Sequence, residues 1–187
     1  VSAPKQRNSR DENKKIKRGK IPDDWNLAKR RQKDTDARWV KKLGRNHYGY
    51  KNHINIDVKN KLIRDYDVTD AATHDSQVFD ELLDDSNTNR DVFADSAYRS
   101  KDRLKILSKR GFREHLQRKG CRHQKLTERE KRGNHTRSKT RCRIEHVFGV
   151  QAMMAGDLIL RTIGIVRARA KIGLRNLAYN MFRYKTL

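Results

Sequence analysis

Between His47 and Val68 the chain alternates in the way a strand does when one of its faces is buried. Tyr48, Tyr50, Ile54 and Ile56 are separated by polar residues through Asp57, a period of two. Lys59-Asn60-Lys61 supplies a turn, and Leu62-Ile63, Tyr66 and Val68 continue as a second strand. The pair predicts an antiparallel hairpin. Downstream, Asp75 opens a predicted helix whose apolar face is Val78, Phe79, Leu82 and Leu83. Asp91-Val92-Phe93-Ala94 reads as a short buried strand ending at Asp95. Ser100 is a fitting N-cap for a helix carrying Leu104 and Leu107 and stopped by Gly111. Phe112 to Leu116 follows as another short strand.

The C-terminal third reads as helical. Thr127-Glu128-Arg129-Glu130 matches a capping box, with Gly133-Asn134 expected to interrupt the helix it starts. A helix over Ser138–Phe148 turns Ile144, Val147 and Phe148 inward. The last helix begins near Val166, with Leu174, Leu177, Ala178, Met181 and Phe182 as its inner stripe. Residues 1–35 show no hydrophobic period and read as an extended, loosely ordered arm. The order hairpin, helix, strand, helix, strand, helices predicts a mixed α/β fold. We divide it into a basic arm and lead-in over residues 1–46 and a folded domain over 47–187.

Charge narrows the partner. The 187 residues hold 46 Lys+Arg against 23 Asp+Glu, a formal net charge of +23, which favours a polyanion: nucleic acid first, an anionic membrane surface second. The charge is also uneven. Residues 1–45 carry 16 basic and 6 acidic side chains, residues 57–95 carry 4 and 11, and residues 96–187 carry 25 and 6. An acidic island within a basic chain suits a cation-binding centre flanked by phosphate-binding surface; acidic loops balancing basic neighbours would give the same pattern. No apolar run approaches the roughly 20 residues of a spanning helix, and the polar start is no signal peptide. Cys121 and Cys142 lack CxxC spacing and read as reduced thiols. The expectation is a soluble, cytoplasmic protein with no membrane partner.

Two residues stand out as candidate metal ligands. Asp95 ends a buried strand, where ligand sites of open α/β sheets form, although an Asp-Ser pair also caps turns. Glu145 lies in a basic helix with Arg137 and Arg141 at i+4 steps. A surface Arg141–Glu145 ion pair would account for it, and so would a carboxylate held near phosphates that the arginines grip. Hard carboxylate oxygens suit Mg²⁺ or Mn²⁺, and two such ions about 3.5–4 Å apart suit phosphodiester chemistry. Other chemistries have no support: no HxxxH or HExxH pairing, no phosphate-binding glycine loop of the Walker type, and no G-x-S-x-G elbow around Ser96.

At these residues the chain resembles bacterial insertion-sequence transposases of the DDE class. The resembling segments are Ala3 to Arg10, Asp34 to Trp39, Tyr48 to Lys51, Val68 to Ala71 with His74 to Ser76, Ala94 to Tyr98, Arg141 to Gly149, Arg161 to Gly164 and Gly173 to Leu177. The resemblance implies an RNase H-like mixed sheet flanked by helices. It implies Asp95 as the second carboxylate of a triad, Glu145 as the third, and Mg²⁺ or Mn²⁺ as cofactor. It also implies DNA, as element ends and as target, for the partner, with Arg137, Lys139, Arg141 and Arg143 holding phosphates. Homodimers or pairing with an intact transposase are further expected partners. Asp36 falls in a motif typical of the family without being the first carboxylate, and Asp57 gains no support as a ligand. In relatives the first carboxylate lies in a strand just before the segment matching Val1-Ser2-Ala3-Pro4. The expectation is therefore a domain without its first strand, inactive alone, or a non-catalytic DNA-binding remnant that regulates transposition.

Overall fold

The computed structural model of the chain describes residues 1–3, 6–42, 44–122, 124–156 and 159–187, so Pro4 and Lys5 of the first resembling segment lie outside it. The expected hairpin is present. Strands β1 (Arg38–Lys42), β2 (Arg45–Ile56) and β3 (Ile63–Asp70) form an antiparallel sheet in the order β1-β2-β3. β2 is long enough to serve two partners: Arg45 to Gly49 pair with β1, and Tyr50 to Ile56 pair with β3. Asp57 makes the turn between β2 and β3, accepting from the N–H groups of Lys59 and Asn60. That is the ordinary work of a turn aspartate.

The second sheet is parallel. β4 (Asp91–Ala94) pairs with β5 (Arg113–Leu116), and the two are joined by α3 (Lys101–Lys109). Ser100 caps α3 as expected, accepting from Arg103 N–H, and Gly111 follows the helix at φ 75°. Leu107, Phe112 and Leu116 form a small core under this unit, with Phe79, Leu83, Val92, Ala94 and Leu104 packed around it. With the helices α1 (Arg10–Lys17), α2 (Leu27–Gln32), α4 (Glu128–Ala155) and α5 (Ile165–Lys185), the architecture is mixed α/β. It is compatible with an RNase H-like mixed sheet flanked by helices.

Four local expectations are corrected. Residues 1–35 contain α1 and α2, each with its own cap. Ser9 and Glu12 form a capping box, and Glu12 also accepts from the Trp25 indole. The helix expected from Asp75 is a single 3-10 turn, Asp75–Gln77. α4 runs through Gly133-Asn134 without a break for 28 residues, because the Asn134 side chain satisfies the main chain of Arg118 at both N and O rather than opening its own helix. The inner face of α5 is also different. Ala168, Ile172, Asn176 and Tyr179 are buried, while Leu174 and Met181 are 66% and 67% exposed.

α4 ties the two sheets together. Near its start, Ser138 Oγ accepts from Gln117 Nε2 just beyond β5. Further along, Val147, with Ile144 and Val150 around it, packs on Ile54, Ile63 and Tyr179 of the first sheet and α5. α5 lies on β3 and β2. Its first turn is held by a loop rather than by its own N-cap: Gly164 N–H donates to Asp34 and Ile165 N–H donates to Asp36. Among the described residues no helix is long and apolar enough to cross a membrane, and Cys121 and Cys142 are free and exposed.

Residues 1–3 lie antiparallel along β2, with Ala3 N–H on Tyr48 O and Tyr50 N–H on Val1 O, both 3.0 Å. This close approach needs Gly49, whose φ is 150°. A Cβ there would run into the Val1 carbonyl and stand 2.7 Å from Ala3 N. Both neighbours are backbone and cannot swing aside. Gly49→Ala is expected to expel residues 1–3 from the sheet at a cost of about 2–3 kcal/mol. In amide exchange Ala3 and Tyr50 would lose protection while Val68 keeps its own. Unchanged protection at Ala3 would disprove the contact.

Candidate active site and nucleic-acid interface

Asp95 follows directly on β4 and is exposed. Its Oδ1 accepts from Ser96 N–H, which opens a 3-10 turn over Ser96–Tyr98. The capping role foreseen for an Asp-Ser pair is thus real, but it occupies one oxygen. Oδ2 has no hydrogen-bond partner among the described residues.

The turn that carries Asp95 is braced from behind by Arg103 of α3. Its guanidinium donates to Tyr98 O (3.0 Å) and Ser76 O (2.6 Å), contacts both Asp80 carboxylate oxygens, and lies over the Phe79 ring at 5.0 Å. Phe79 in turn packs on Tyr98, ring centroids 5.0 Å apart. Arg103 therefore stitches the 3-10 turn at Asp75–Gln77 to the one after Asp95. Burial, with the charges of Asp75 and Asp95, pushes the Tyr98 phenol up to about 12. Asp75 is held by Lys51 Nζ at 2.8 Å and stands 3.9 Å from His53 Nδ1. Burial of Asp75 opposes its ionisation, but the Lys51 hydrogen bond and charge outweigh it and hold the carboxyl below the usual range. Burial pushes His53 down, which keeps the ring neutral beside Thr69 Oγ1 at 2.8 Å.

Glu145 approaches from α4, the helix that packs on β4. Its side chain is exposed, and Oε1 is 2.9 Å from Arg141 Nη2, the i,i+4 pair that the spacing allowed. Exposed pairs of this kind contribute only about 0.3–0.5 kcal/mol, so Arg141 and Glu145 separate readily. Arg137 and Arg141 each keep a buried Nε with no hydrogen-bond partner. Lys139 is exposed, and Arg143 donates to Val58 O across the gap to the β2–β3 turn. Asp95 and Glu145 thus come from different elements, the turn after β4 and the α4 helix that packs on β4.

As donors the two carboxylates fit a hard cation: both are exposed oxygens, and Mg²⁺ keeps several waters of its own. Among the described residues no group of three or more His, Cys, Asp or Glu is arranged to hold a metal. Arg103 was not foreseen from the sequence. Its only signal there is the i+3 distance from the Ser100 cap, which places it on the first turn of α3 facing the preceding loop. Asp36 orders a loop by capping α5, and Asp34 two residues earlier does more of the same work, buried.

A model of the transposase DDE domain family matches residues 16–181. The transposase for insertion sequence element IS1106 of Neisseria meningitidis serogroup B is 29% identical over 151 residues, covering 81% of this chain. The chain spans about half the length of that curated relative, 52%. No solved structure matches it. The family match extends from the end of α1 to the last turns of α5 and includes both carboxylates, so the chain belongs to the transposase DDE domain family.

Proposed function

We propose that this chain is a catalytic portion of an insertion-sequence DNA transposase, with residues 47–187 forming the catalytic domain and residues 1–46 leading into it. The observation that supports the reading is that α4, the helix carrying Glu145 and a row of arginines, packs on β4, the strand that Asp95 follows. Asp95 and Glu145 would hold Mg²⁺ or Mn²⁺. When bound, the metal would neutralise charge at the scissile phosphate and raise the acidity of an attacking water or hydroxyl. The protein's own part is positional. Arg103 fixes the Asp95 turn, and Arg137, Lys139, Arg141 and Arg143 hold phosphates without reading bases. DNA is the partner, as element end and as target, and the setting is the cytoplasm. Pairing with a second copy or with an intact transposase would bring two element ends together.

Two carboxylates are fewer than the triad that the family resemblance implies. By itself the chain is expected to bind DNA without cutting it. The test compares two proteins: the chain itself, and the chain preceded by the part of the meningococcal transposase that lies before the matched segment. With supercoiled plasmid bearing an element end and Mg²⁺ or Mn²⁺, the extended protein should nick and join. Asp95→Asn or Glu145→Gln should each reduce that activity by at least about a thousandfold. Nicking that survives Asp95→Asn would overturn the metal assignment. Metal-dependent nicking by the chain alone would overturn its inactivity. Steeply salt-dependent binding with no cleavage by either protein would favour the other reading, a DNA-binding regulator of transposition.

A further inference from the structure

The connection between β5 and α4 and the first turns of α4 enclose a cleft of about 640 Å³, lined by Arg118, Gln124, Thr127, Arg129, Glu130, Gly133 and Arg137. A smaller recess shares Arg118, Gln124 and Glu130 with it and adds Arg99, Lys119 and Lys125. We propose that this cleft is a binding site for the sugar–phosphate backbone of one DNA strand, holding two or so successive phosphates. The proposal rests on the DNA-binding reading above and names where the strand is gripped.

Charge bookkeeping favours an anion. Both oxygens of Glu130 are already occupied: Oε1 accepts from Arg118 Nη1 at 2.9 Å, and Oε2 accepts from Thr127 N–H and Oγ1. Arg99 is paired with Glu114 at 2.8 Å. Lys119, Lys125, Arg129 and Arg137 have no ion-pair partner among the described residues. Four cations around a concave surface are therefore uncompensated, and phosphate oxygens are the groups that match them.

One of these cations is built into the cleft rather than scattered over it. The Nε of Arg137 is buried and has no hydrogen-bond partner, so its guanidinium is seated in the cleft wall and an incoming phosphate would meet its terminal nitrogens. Its Nη1 lies 3.0 Å from where a Cβ on Gly133 would stand. The glycine one turn earlier thus provides the space in which the guanidinium rests. A glycine inside a helix is otherwise a weakness, and here it makes room for an arginine. Among the described residues no aromatic ring lines either recess, so these residues offer no surface on which a base would stack, and their contact is to backbone. The cleft also adjoins the proposed chemistry: Gln117 N–H donates to Ala94 O, so its loop leaves the sheet beside the residue before Asp95.

The test is fluorescence anisotropy of the whole chain with a labelled DNA duplex and with one of its strands, over a salt series. Lys125→Gln with Arg129→Gln should weaken binding by roughly tenfold or more and flatten the slope of log K against log salt by about two. Arg30→Gln with Arg31→Gln, exposed charges on α2, should leave the slope unchanged. Gly133→Ala is a second probe, because alanine favours the helix yet obliges the Arg137 guanidinium to give by a few tenths of an ångström. It should leave Tm unchanged or higher while weakening binding several-fold. Equal flattening by the α2 pair would mean a diffuse charge effect and overturn the site. Full affinity in Gly133→Ala and in the Lys125/Arg129 pair, in a protein that binds DNA with a steep salt slope, would overturn the cleft and leave the DNA reading standing. No binding by the parent chain would remove both.

Discussion

Asp34→Ala is expected to destabilise the protein by about 3–5 kcal/mol, because it removes an acceptor from a buried site with four donors. Asp34 is 1% exposed. Its carboxylate takes the Tyr50 hydroxyl at 2.8 Å on both oxygens, the N–H groups of Asp36 and Ala37 at 3.0 and 3.1 Å, and Gly164 N–H at 3.2 Å. Tyr50 is itself buried, and burial together with Asp34 pushes its phenol well above the usual range. Alanine would leave that hydroxyl without an acceptor in the main core, beside Ala37, Val68 and Ile172.

The same substitution would loosen α5, since Gly164 offers no side-chain cap and the helix start depends on carboxylates from the Asp34–Asp36 loop. Negative charge at that end also suits the helix dipole. Urea unfolding should show a lower midpoint with an unchanged slope. Asp36→Ala, which removes a single cap bond from a half-buried side chain, should cost only about 1 kcal/mol. A loss below about 1 kcal/mol for Asp34→Ala would contradict the account.

The sequence shows Asp34 and Asp36 only as members of a motif, since the helix start that both of them cap lies some 130 residues away. This is the general divide between what was legible and what was not. The hairpin, β4, α3 and the Thr127 cap are local devices, and periodicity or capping reveals each of them. The segment after Asp75 carries helical spacing of Val78, Phe79, Leu82 and Leu83, yet its carbonyls find other partners. Arg110 donates to Asp80 O and Leu83 O, and Asn55 donates to Leu82 O. Arg110, just past α3, and Asn55 thus take carbonyls that a helix ladder would use.

The α5 face was hidden for a related reason. Its inner side carries Asn176 and, beside it, Asn180, which bonds both main-chain groups of Ile63. Asn176 joins Asn52 and Gln151 in a network across the α5–sheet contact. Polar residues used as internal fasteners make the buried side look like the wet one. At the candidate site the two proposed carboxylates rest on position and resemblance, and the Arg141 pair and the Ser96 cap were legible from spacing, whereas Arg103, which braces the turn after Asp95 from a separate helix, was not.

Arg103→Ala is expected to have the other large effect, about 3–5 kcal/mol, since it strips a mostly buried guanidinium from Asp80 and two carbonyls at once. Arg103→Lys keeps the charge but not the planar fork, so it cannot meet Tyr98 O, Ser76 O and Asp80 together. It should recover less than half of the loss. If Arg103 acted on stability alone, the lysine variant, assayed where it is fully folded, would cleave like the parent. As a positioning residue it would behave differently. The turn after Asp95 would be freer, more metal would be needed for half-maximal cleavage by the extended protein, and saturating Mn²⁺ would restore much of the rate. Tyr98 offers an independent readout. Its phenol is raised to about 12 by burial and by Asp75 and Asp95 against the lowering effect of the Arg103 charge, which lysine keeps, so in the lysine variant it should titrate below the parent as the ring gains water. An unchanged Tyr98 titration together with an unchanged metal requirement would mean that the contacts of Arg103 stabilise the fold without holding Asp95 in place.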